Sequence, residues 1–546
     1  MRGLWRVISV AVFALFLGPS VNAESPLEQA RDDVALSAST PRFGNGRRLV
    51  LTGGRIVDGT GDPWFNGDIL IEGNRIIAVA ETVAETKPQH QVIDISGYYV
   101  APGFIDTHSH TGPGLATPAL SAAEPLLTQG ISTVFVNPDG AGATDIIAQR
   151  DALLRDGLGV NVAQFVPHGA VREAVMGMAD RAPTGAELEQ MRELVRVAMV
   201  AGAWGLSSGP FYAPGSYANT DELITLAKVA AEYGGVYQSH VRDESNYSIG
   251  LIAALNEVIT VARDAGLPGV HTHVKALGPP VWGAADAIVK GINDARLAGV
   301  EVYADQYPYL ASATSLAAAL LPRWAQAGGL DIMRKRLSEE PDAARIRSAI
   351  AENLIRRGGA QRIQFRSVSW DSDLEGQRLA EVASAWQMSA VEAARRILLN
   401  GGAGIVSFNM DENDVRTLMR QPWTMTASDG GLIPFGEGVP HPRSYGSFPR
   451  KLQRFVFDEE VVSLEHAIRS MTSLPAQVYR LEDRGLLKSG MVADLVVLDL
   501  ETLRDHATFT DPHQLSTGVV HLFVGGVAAI QDRQLTKELP GIVLQK

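Results

Sequence analysis

Two histidines, separated by one residue, end an apolar run early in the chain. In APGFIDTHSH, residues 101–110, they are His108 and His110. On a β-strand, residues two positions apart point in the same direction, so both imidazole rings would face one target. The pair could bind a metal ion, or it could be the polar end of a buried strand. Only the rest of the chain can distinguish these interpretations.

Other histidines and carboxylates also follow apolar runs. Asp139 comes after ISTVFVNP, His240 ends GGVYQSH, His273 lies in VHTHVKALG and Asp429 ends WTMTASD. The chain has 12 histidines, and four of them occupy such positions. Taken singly, each residue could be a hydrogen-bonded polar group at the end of a strand. Together they indicate a metal site, because imidazole nitrogen and carboxylate oxygen are typical ligands of zinc.

This set of residues predicts metal-dependent hydrolysis. A zinc ion with an open coordination position lowers the pKa of a bound water to about 7. Asp429 would be the general base for that water and later the acid toward the leaving group. The predicted metal ligands are His108, His110, Asp139, His240, His273 and Asp429. For Asp139 the alternative is that it only shapes the turn in NPDG, where Asp and Gly are common.

Three further polar residues are candidates for substrate binding. Lys275 in THVK and Arg443 in HPRSYGSFPR could bind a carboxylate, and Arg443 could do so through two parallel hydrogen bonds. Tyr307 in DQYPYLAS could form a hydrogen bond with the substrate. The competing interpretation for all three is ordinary loop structure or ion pairing.

A site of this kind requires a fold that gathers the ends of several strands. Helix-like stretches separate most of the apolar runs, and in the stretch 184–201 Thr184 and Glu187 form the pattern of a capping box. This alternation predicts an α/β fold, a (β/α)₈ TIM-like barrel, in which all strands end at one face. The predicted strands cover residues 100–106, 131–136, 160–166, 203–208, 235–241, 269–275, 300–307 and 423–429.

The chain ends differ from this central part. Short alternating stretches with Gly-containing turns occupy residues 47–99 and again 481–546, which predicts antiparallel strands. Because neither end is long enough to bury an apolar face alone, we expect both to form one small β-sandwich around a barrel of residues 100–480. Charged helical sequence at about 315–420 predicts an insertion over the barrel mouth.

The N-terminus and the composition bear on location and partners. Residues 1–23 have early arginines, an apolar stretch and the small-residue end VNA, which predicts a secretory signal peptide. The alternative is an uncleaved membrane anchor. Residues 24–46 would be a loose leader, and the mature protein would be periplasmic or secreted without stable membrane association. The net charge of −13 argues against nucleic-acid partners, and the chain has no cysteine for disulfides.

The ordered motifs resemble the amidohydrolase superfamily and, within it, the D-aminoacylase group. PGFIDTHSH, GISTVFVNPDG, GGVYQSHVRDES, THVK, YPYLAS, ASDG and HPRSYGSFPR occur in the order of that group. The resemblance implies hydrolysis of N-acyl-D-amino acids to a carboxylate and a free D-amino acid. It also implies His108, His110, His240, His273 and Asp429 as metal ligands, with Lys275, Tyr307 and Arg443 near the substrate carboxylate. The D-specificity comes from the resemblance alone.

Two departures from the group are visible. Asp139 occupies a position where the group often has a cysteine ligand, and a carboxylate favours Mn²⁺ or Co²⁺ more than a thiolate does. Ser312-Ala313-Thr314 replaces a usual Gly-Ser-Thr run, which leaves the exact substrate open. We therefore predict a site for one or two Zn²⁺ ions, with Mn²⁺ or Co²⁺ as alternatives.

Two alternative functions remain. One is a dipeptidase-like hydrolase, or another amide or cyclic-amide hydrolase of the superfamily. The other is a non-catalytic binding protein on the same barrel, but such a protein would not need a base beside a metal. The sequence leaves open the preferred acyl group and side chain, and whether the chain forms a homo-oligomer.

Overall fold

The computed structural model describes residues 48–83 and 90–546. The predicted signal peptide and leader lie outside the described residues. Within the described part of the chain, no helix is both long and apolar enough to cross a lipid bilayer.

Parallel strands and helices form the predicted (β/α)₈ barrel. Each strand pairs with its neighbour in parallel, and the third is broken at Phe165, whose amide donates a hydrogen bond to the carbonyl of Val136. The strands cover Phe104–Asp106, Ile131–Val136, Asn161–Gln164 with Val166–Pro167, Gly205–Ser208, Val236–Ser239, Gly269–His271, Val302–Gln306 and Thr424–Thr426. The fifth to eighth strands stop one to four residues earlier than predicted, because the residues that follow turn into the barrel mouth.

Hydrogen bonds between the first and eighth strands close the barrel. The Ser428 amide donates to Oδ1 of Asp106 over 2.8 Å, and the Asp429 amide donates to the carbonyl of His108 over 2.9 Å. The His110 amide donates in turn to the Gly430 carbonyl at 2.8 Å. Two segments that are over 300 residues apart in the sequence are thereby held side by side at the mouth.

Helices cover the outside of the barrel, and the predicted capping box is present. The Thr184 hydroxyl accepts a hydrogen bond from the Glu187 amide, and the Glu187 carboxylate accepts one from the Thr184 amide. The helices are Gly112–Leu115, Glu124–Leu127, Ile146–Leu154, His168–Met176, Gly185–Val200, Thr220–Glu232, Leu251–Ala265, Ala285–Leu297, Glu412–Met419, Arg443–Arg450, Leu464–Met471 and Ser473–Tyr479, with a π-helix at Lys451–Asp458.

The two chain ends meet in one sheet. Leu495–Leu498 pairs antiparallel with Tyr99–Pro102, which joins the C-terminal strands to the N-terminal ones. Apolar side chains of this sheet form a separate cluster that includes Leu51, Ile69 and Leu495. The remaining strands are Arg48–Ile56, Phe65–Glu72, Arg75–Ala80, Gln91–Asp94, Val519–Val524, Val527–Gln531 and Gln534–Leu535.

A module inserted after the seventh strand lies over the barrel mouth. Its three antiparallel strands are Ser312–Ser315, Ile363–Ser367 and Gly404–Ser407. It has its own apolar core, because its helices pack on one another and on this sheet. The helices are Leu316–Leu320, Arg323–Gln326, Leu330–Ser338, Asp342–Arg356, Leu379–Ala385 and Ala390–Leu399.

Candidate metal centre

The six predicted metal ligands meet at the carboxyl ends of the barrel strands. Each lies one to four residues beyond the last residue of its strand, where the chain turns across the mouth. Their polar atoms fall into two groups, each with all ligand atoms within 4.8 Å of one another. The groups are His108, His110, Asp139 and Asp429, and Asp139, His240 and His273.

The first group brings two histidines from one strand against two carboxylates. His108 Nε2 lies 3.2 Å from Asp139 Oδ1 and 3.7 Å from Asp429 Oδ1. His110 Nε2 lies 3.4 Å from Asp139 Oδ2 and 3.2 Å from Asp429 Oδ1. The two rings therefore point at the same pair of carboxylates, although both histidines lie beyond the end of the strand at Asp106.

The second group shares Asp139 with the first. His273 Nε2 lies 3.5 Å from Asp139 Oδ1, and His240 Nδ1 lies 3.8 Å from Asp139 Oδ2. Because both carboxylate oxygens face imidazole nitrogens from both groups, Asp139 occupies the position of a bridging ligand.

Several of these atoms fit a metal because they make no hydrogen bond within the described part of the chain. There, both ring nitrogens of His108 and of His240 are buried without a hydrogen-bond partner, and so is Oδ1 of Asp139. Buried polar atoms without partners are costly and rare. A nitrogen and oxygen donor set of this kind suits Zn²⁺.

Burial and neighbouring charges also set the protonation of the ligands. Burial lowers the pKa of His240 to about 3, so its imidazole is neutral and able to donate a lone pair. Burial alone would raise the pKa of the Asp139 carboxyl, but the histidines around it hold that pKa well below its usual range. Burial would likewise raise the pKa of the Asp429 carboxyl, but the positive charge of the Arg443 guanidinium outweighs this effect and lowers the pKa.

Three of the ligands have a backbone conformation that is uncommon outside glycine. The φ angles are 57° at Asp139, 36° at His273 and 49° at Asp429. Such residues cluster at functional sites, where the surrounding structure enforces the strain. Here the left-handed turn directs each side chain into the mouth directly after its strand.

Lys275 belongs to a buried cationic and anionic cluster beside the second group. Its Nζ forms a very short contact with Oε1 of Glu244 and lies 2.7 Å from Nδ1 of His273. Glu244 also approaches His240, with 3.7 Å between Oε2 and Nε2. Glu244 therefore orients both a candidate ligand and the candidate substrate lysine.

Arg443 and Tyr307 lie together beside Asp429 and Lys275. Arg443 Nη1 is 2.7 Å from Oδ2 of Asp429, so the predicted substrate arginine also contacts the predicted base. The Tyr307 ring lies between two cations, with its centroid 4.8 Å from the Arg443 guanidinium carbon and 5.7 Å from Lys275 Nζ. The roles assigned to these three residues stay predictions.

Three residues of the site were not predicted from the sequence: Glu244, His441 and Arg366. Glu244 follows His240 by four residues in an irregular segment, so its spacing carried no signal. His441 is buried and accepts a hydrogen bond from the Arg443 amide at 3.0 Å, which braces the arginine. Arg366 reaches the site from the inserted module, with a buried Nε that has no hydrogen-bond partner. Tertiary packing alone places it there.

All of these groups except His108 line one cavity of about 630 Å³. Besides the predicted ligands other than His108, its wall includes Lys275, Tyr307 and Arg443. The replaced run Ser312-Ala313-Thr314 also lines it, and Thr314 Oγ1 donates a hydrogen bond to the Tyr212 hydroxyl at 3.3 Å. The cavity combines metal-ligating groups with cations that suit an anionic substrate.

Comparisons with known proteins agree with this geometry. Residues 91–530 match a family model described as the amidohydrolase family. The chain is 35% identical to an N-acyl-D-glutamate deacylase of Alcaligenes xylosoxydans xylosoxydans, over 91% of this chain and 96% of that protein. A D-aminoacylase from the same organism is 31% identical, with 91% and 97% of the two chains covered.

A solved structure extends the similarity to three dimensions. It is the N-acyl-D-glutamate deacylase of Bordetella bronchiseptica, in complex with zinc and a phosphonate inhibitor that mimics the tetrahedral intermediate. The TM-score is 0.78 at 32% identity, with 91% of this chain and 99% of that one covered. The predicted fold class is confirmed.

Proposed function

The chain belongs to the amidohydrolase family, and we propose that it hydrolyses the amide bond of N-acyl-D-amino acids. The observation that carries this proposal is the convergence of four histidines and two aspartates beside a cavity that Lys275 and Arg443 also line. The relatives named above act, by their names, on substrates of this class and align along nearly their whole length.

The metal would be bound by both ligand groups, one ion each, with Asp139 shared. The buried, unpartnered nitrogens of His108 and His240 fit Zn²⁺, and the carboxylates also admit Mn²⁺ or Co²⁺. A bound ion would act as a Lewis acid on the amide carbonyl and would make a water easier to deprotonate.

Proton transfer is assigned to Asp429. Its carboxylate accepts a proton from the attacking water, whose oxygen forms a bond with the carbonyl carbon of the acyl group. The same carboxyl then gives the proton to the amide nitrogen as the C–N bond breaks. The products are a carboxylic acid and a free amine, which is the amino acid.

Substrate orientation is assigned to the cations around Tyr307. The carboxylate of the amino acid would lie between Lys275 and Arg443, and a guanidinium binds a carboxylate through paired hydrogen bonds. Placing the carboxylate there would leave the amide toward Asp429, since Arg443 also contacts that residue. The preference for the D-enantiomer rests on the named relatives.

The test is a substrate panel with purified, zinc-loaded protein. We expect amino acid release from N-acetyl-D-amino acids and much slower release from their L-enantiomers. Dialysis against a chelator should abolish the activity, and added Zn²⁺ should restore it. Hydrolysis of dipeptides or hydantoins in place of N-acetyl-D-amino acids would contradict the proposal.

We propose in addition that the protein is exported. The support is the sequence of residues 1–23, with basic, apolar and small-residue parts in the order of a signal peptide. The measurement is N-terminal sequencing of protein from the periplasm or culture medium, which should begin near residue 24. An intact N-terminus in the membrane fraction would favour an uncleaved anchor.

A further inference from the structure

A second and larger cavity adjoins the candidate metal centre. It has a volume of about 1270 Å³ and lies between the barrel mouth and the inserted module. We name it the apolar chamber. Its apolar side chains come from both parts of the protein: Leu120, Leu432 and Ile433 from the barrel loops, and Met333, Val368 and Leu398 from the module.

The apolar chamber is continuous with the cavity of the metal centre. The two share the lining residues Pro113, Glu173, Ser315, Arg366, Leu432 and Ile433. Leu432 and Ile433 follow the candidate base Asp429 by three and four residues, so the shared wall begins beside the reacting groups. A substrate bound at the metal centre can therefore extend along this shared wall into the chamber.

The two cavities differ in chemistry. The metal centre holds Lys275, Arg443 and Arg366, three cations that suit an anionic group. Charged residues also line the chamber, where they are Glu173, Arg334, Arg366, Glu375 and Glu437, and two of them have partners outside its lining or on its backbone. Glu375 accepts a hydrogen bond from the Val368 amide at 2.8 Å, and Arg334 lies 3.6 Å from the exposed carboxylate of Asp331.

This division matches the two ends of an N-acyl amino acid. If the carboxylate lies between Lys275 and Arg443, the acyl group lies on the other side of the scissile amide. An acetyl group would leave the apolar chamber to water, although its walls include Leu330, which is 66% exposed, and the half-buried Ile433. Filling such a cavity with an alkyl chain removes apolar surface from water.

We propose that the apolar chamber binds the alkyl chain of the acyl group, so that the preferred substrates are N-acyl amino acids with medium or long chains. This inference rests on the proposed function, because that function fixes which bond lies at the metal centre. Each methylene that enters the chamber should improve binding by about fourfold.

The first experiment varies the chain length. We would measure kcat/KM for the N-acetyl, N-butanoyl, N-octanoyl and N-dodecanoyl derivatives of one D-amino acid, chosen as the best N-acetyl substrate. We expect a rise of at least a hundredfold from acetyl to octanoyl, mainly through KM, because chain binding is the same in the ground and transition states. A flat or falling series would overturn the inference.

The second experiment alters the chamber and leaves the metal centre intact. Leu330 and Ala317 line the chamber and do not line the metal-centre cavity. Because the Leu330 side chain is 66% exposed, Leu330→Glu is compatible with folding. Both Leu330→Glu and Ala317→Trp should lower kcat/KM for the octanoyl substrate at least tenfold and change that for the acetyl substrate less than twofold. The matched control is Ile355→Trp, 75% exposed on the same module and outside both linings. Equal losses on both substrates would overturn the inference.

A binding measurement separates the inference from the proposed function. If no N-acyl amino acid is hydrolysed, the proposed function fails, and calorimetric titration with dodecanoate then tests the chamber directly. Binding that Leu330→Glu weakens and Ile355→Trp does not would support an alkyl-binding chamber. No detectable binding of dodecanoate would overturn it.

Discussion

At the scale of single residues, Asp429 is held from three directions. Its amide donates to the His108 carbonyl, its Oδ1 lies 3.2 Å from His110 Nε2, and its Oδ2 lies 2.7 Å from Arg443 Nη1. We expect Asp429→Asn to keep the fold and to lower kcat by about 10²–10⁴-fold, because an amide cannot accept the proton. Circular dichroism and turnover measure the two effects. Asp331→Asn, at a side chain 99% exposed, is the control, and normal turnover by Asp429→Asn would contradict the assignment.

Asp139 is the residue on which the bridging geometry depends. Its φ of 57° makes Asn a better replacement than Ala, since Asn tolerates this backbone conformation. We expect Asp139→Asn to lower the bound metal per chain and to lower activity with it, because the amide lacks the second anionic oxygen. Metal analysis measures this loss. The melting temperature of chelator-treated protein should match that of chelator-treated wild type. A full metal count and normal turnover would mean that Asp139 only shapes its turn.

Replacement of Arg443 would remove two interactions: the ion pair with Asp429 and the proposed contact with the substrate carboxylate. Removing Arg443 should raise KM for N-acyl amino acids about ten- to a hundredfold, because a hydrogen bond to a charged group contributes about 1.5–3 kcal/mol. It should also lower kcat, because Asp429 loses its partner at 2.7 Å. The effects on KM and on kcat can be separated with a substrate that has a neutral amide in place of the carboxylate. On that substrate, Arg443→Ala should lower kcat and leave KM unchanged. An equal rise of KM on both substrates would show that Arg443 does not bind the carboxylate.

At the scale of the elements, a buried ion cluster joins two helices of the barrel. Glu222, at the start of Thr220–Glu232, lies 2.9 Å from His168 Nε2 and makes a very short contact with Arg172, both on His168–Met176. His168 is therefore a structural residue. Burial opposes ionisation of Glu222, but His168 and Arg172 outweigh it and lower the Glu222 pKa below 4.5.

This cluster predicts a pH dependence of stability. Because the Glu222 pKa is lower in the folded protein, the ionised form stabilises the fold above pH 4.5, and this stability is lost as the pH falls through the folded pKa. Glu222→Gln should lower the free energy of unfolding by about 3–5 kcal/mol at pH 7. Melting curves from pH 7 to 3.5 should show the difference from wild type shrinking with acid, and a constant difference would contradict the mechanism. Glu189→Gln, at an exposed ion pair, is the control and should leave the curves unchanged.

The elements show which parts of the fold and site were predictable. Buried runs of three to six residues form the barrel strands, and burial of both faces leaves a local signature in the sequence. The chain turn after His271 was not visible, since the left-handed conformation of His273 is imposed by its neighbours. Glu244 and Arg366 were missed for the same reason, because their positions depend on contacts distant in sequence. The candidate ligands were found because each lies next to a recognisable strand.

At the scale of the whole molecule, the barrel and the sheet of the chain ends depend on one another. The Asp494 carbonyl accepts a hydrogen bond from the Gly103 amide, and its carboxylate accepts one from Asn161 at 3.1 Å in the third barrel strand. Arg484 Nε lies 3.0 Å from the same carboxylate. The C-terminal strand Leu495–Leu498 therefore follows directly after Asp494, which is hydrogen-bonded to both the N-terminal part and the barrel.

This arrangement predicts one cooperative unfolding unit. Leu495 is fully buried and pairs with Pro102, so Leu495→Ala should remove contacts between the two chain ends and lower stability by about 2–5 kcal/mol. If the sheet and barrel unfold together, loss of activity and loss of helical circular dichroism should shift to lower denaturant by the same amount. Leu539→Ala, at a side chain 37% exposed near the C-terminus, is the control and should shift neither transition by as much. Two separated transitions, with activity lost only in the second, would show instead that the barrel keeps its metal centre without the sheet of the chain ends.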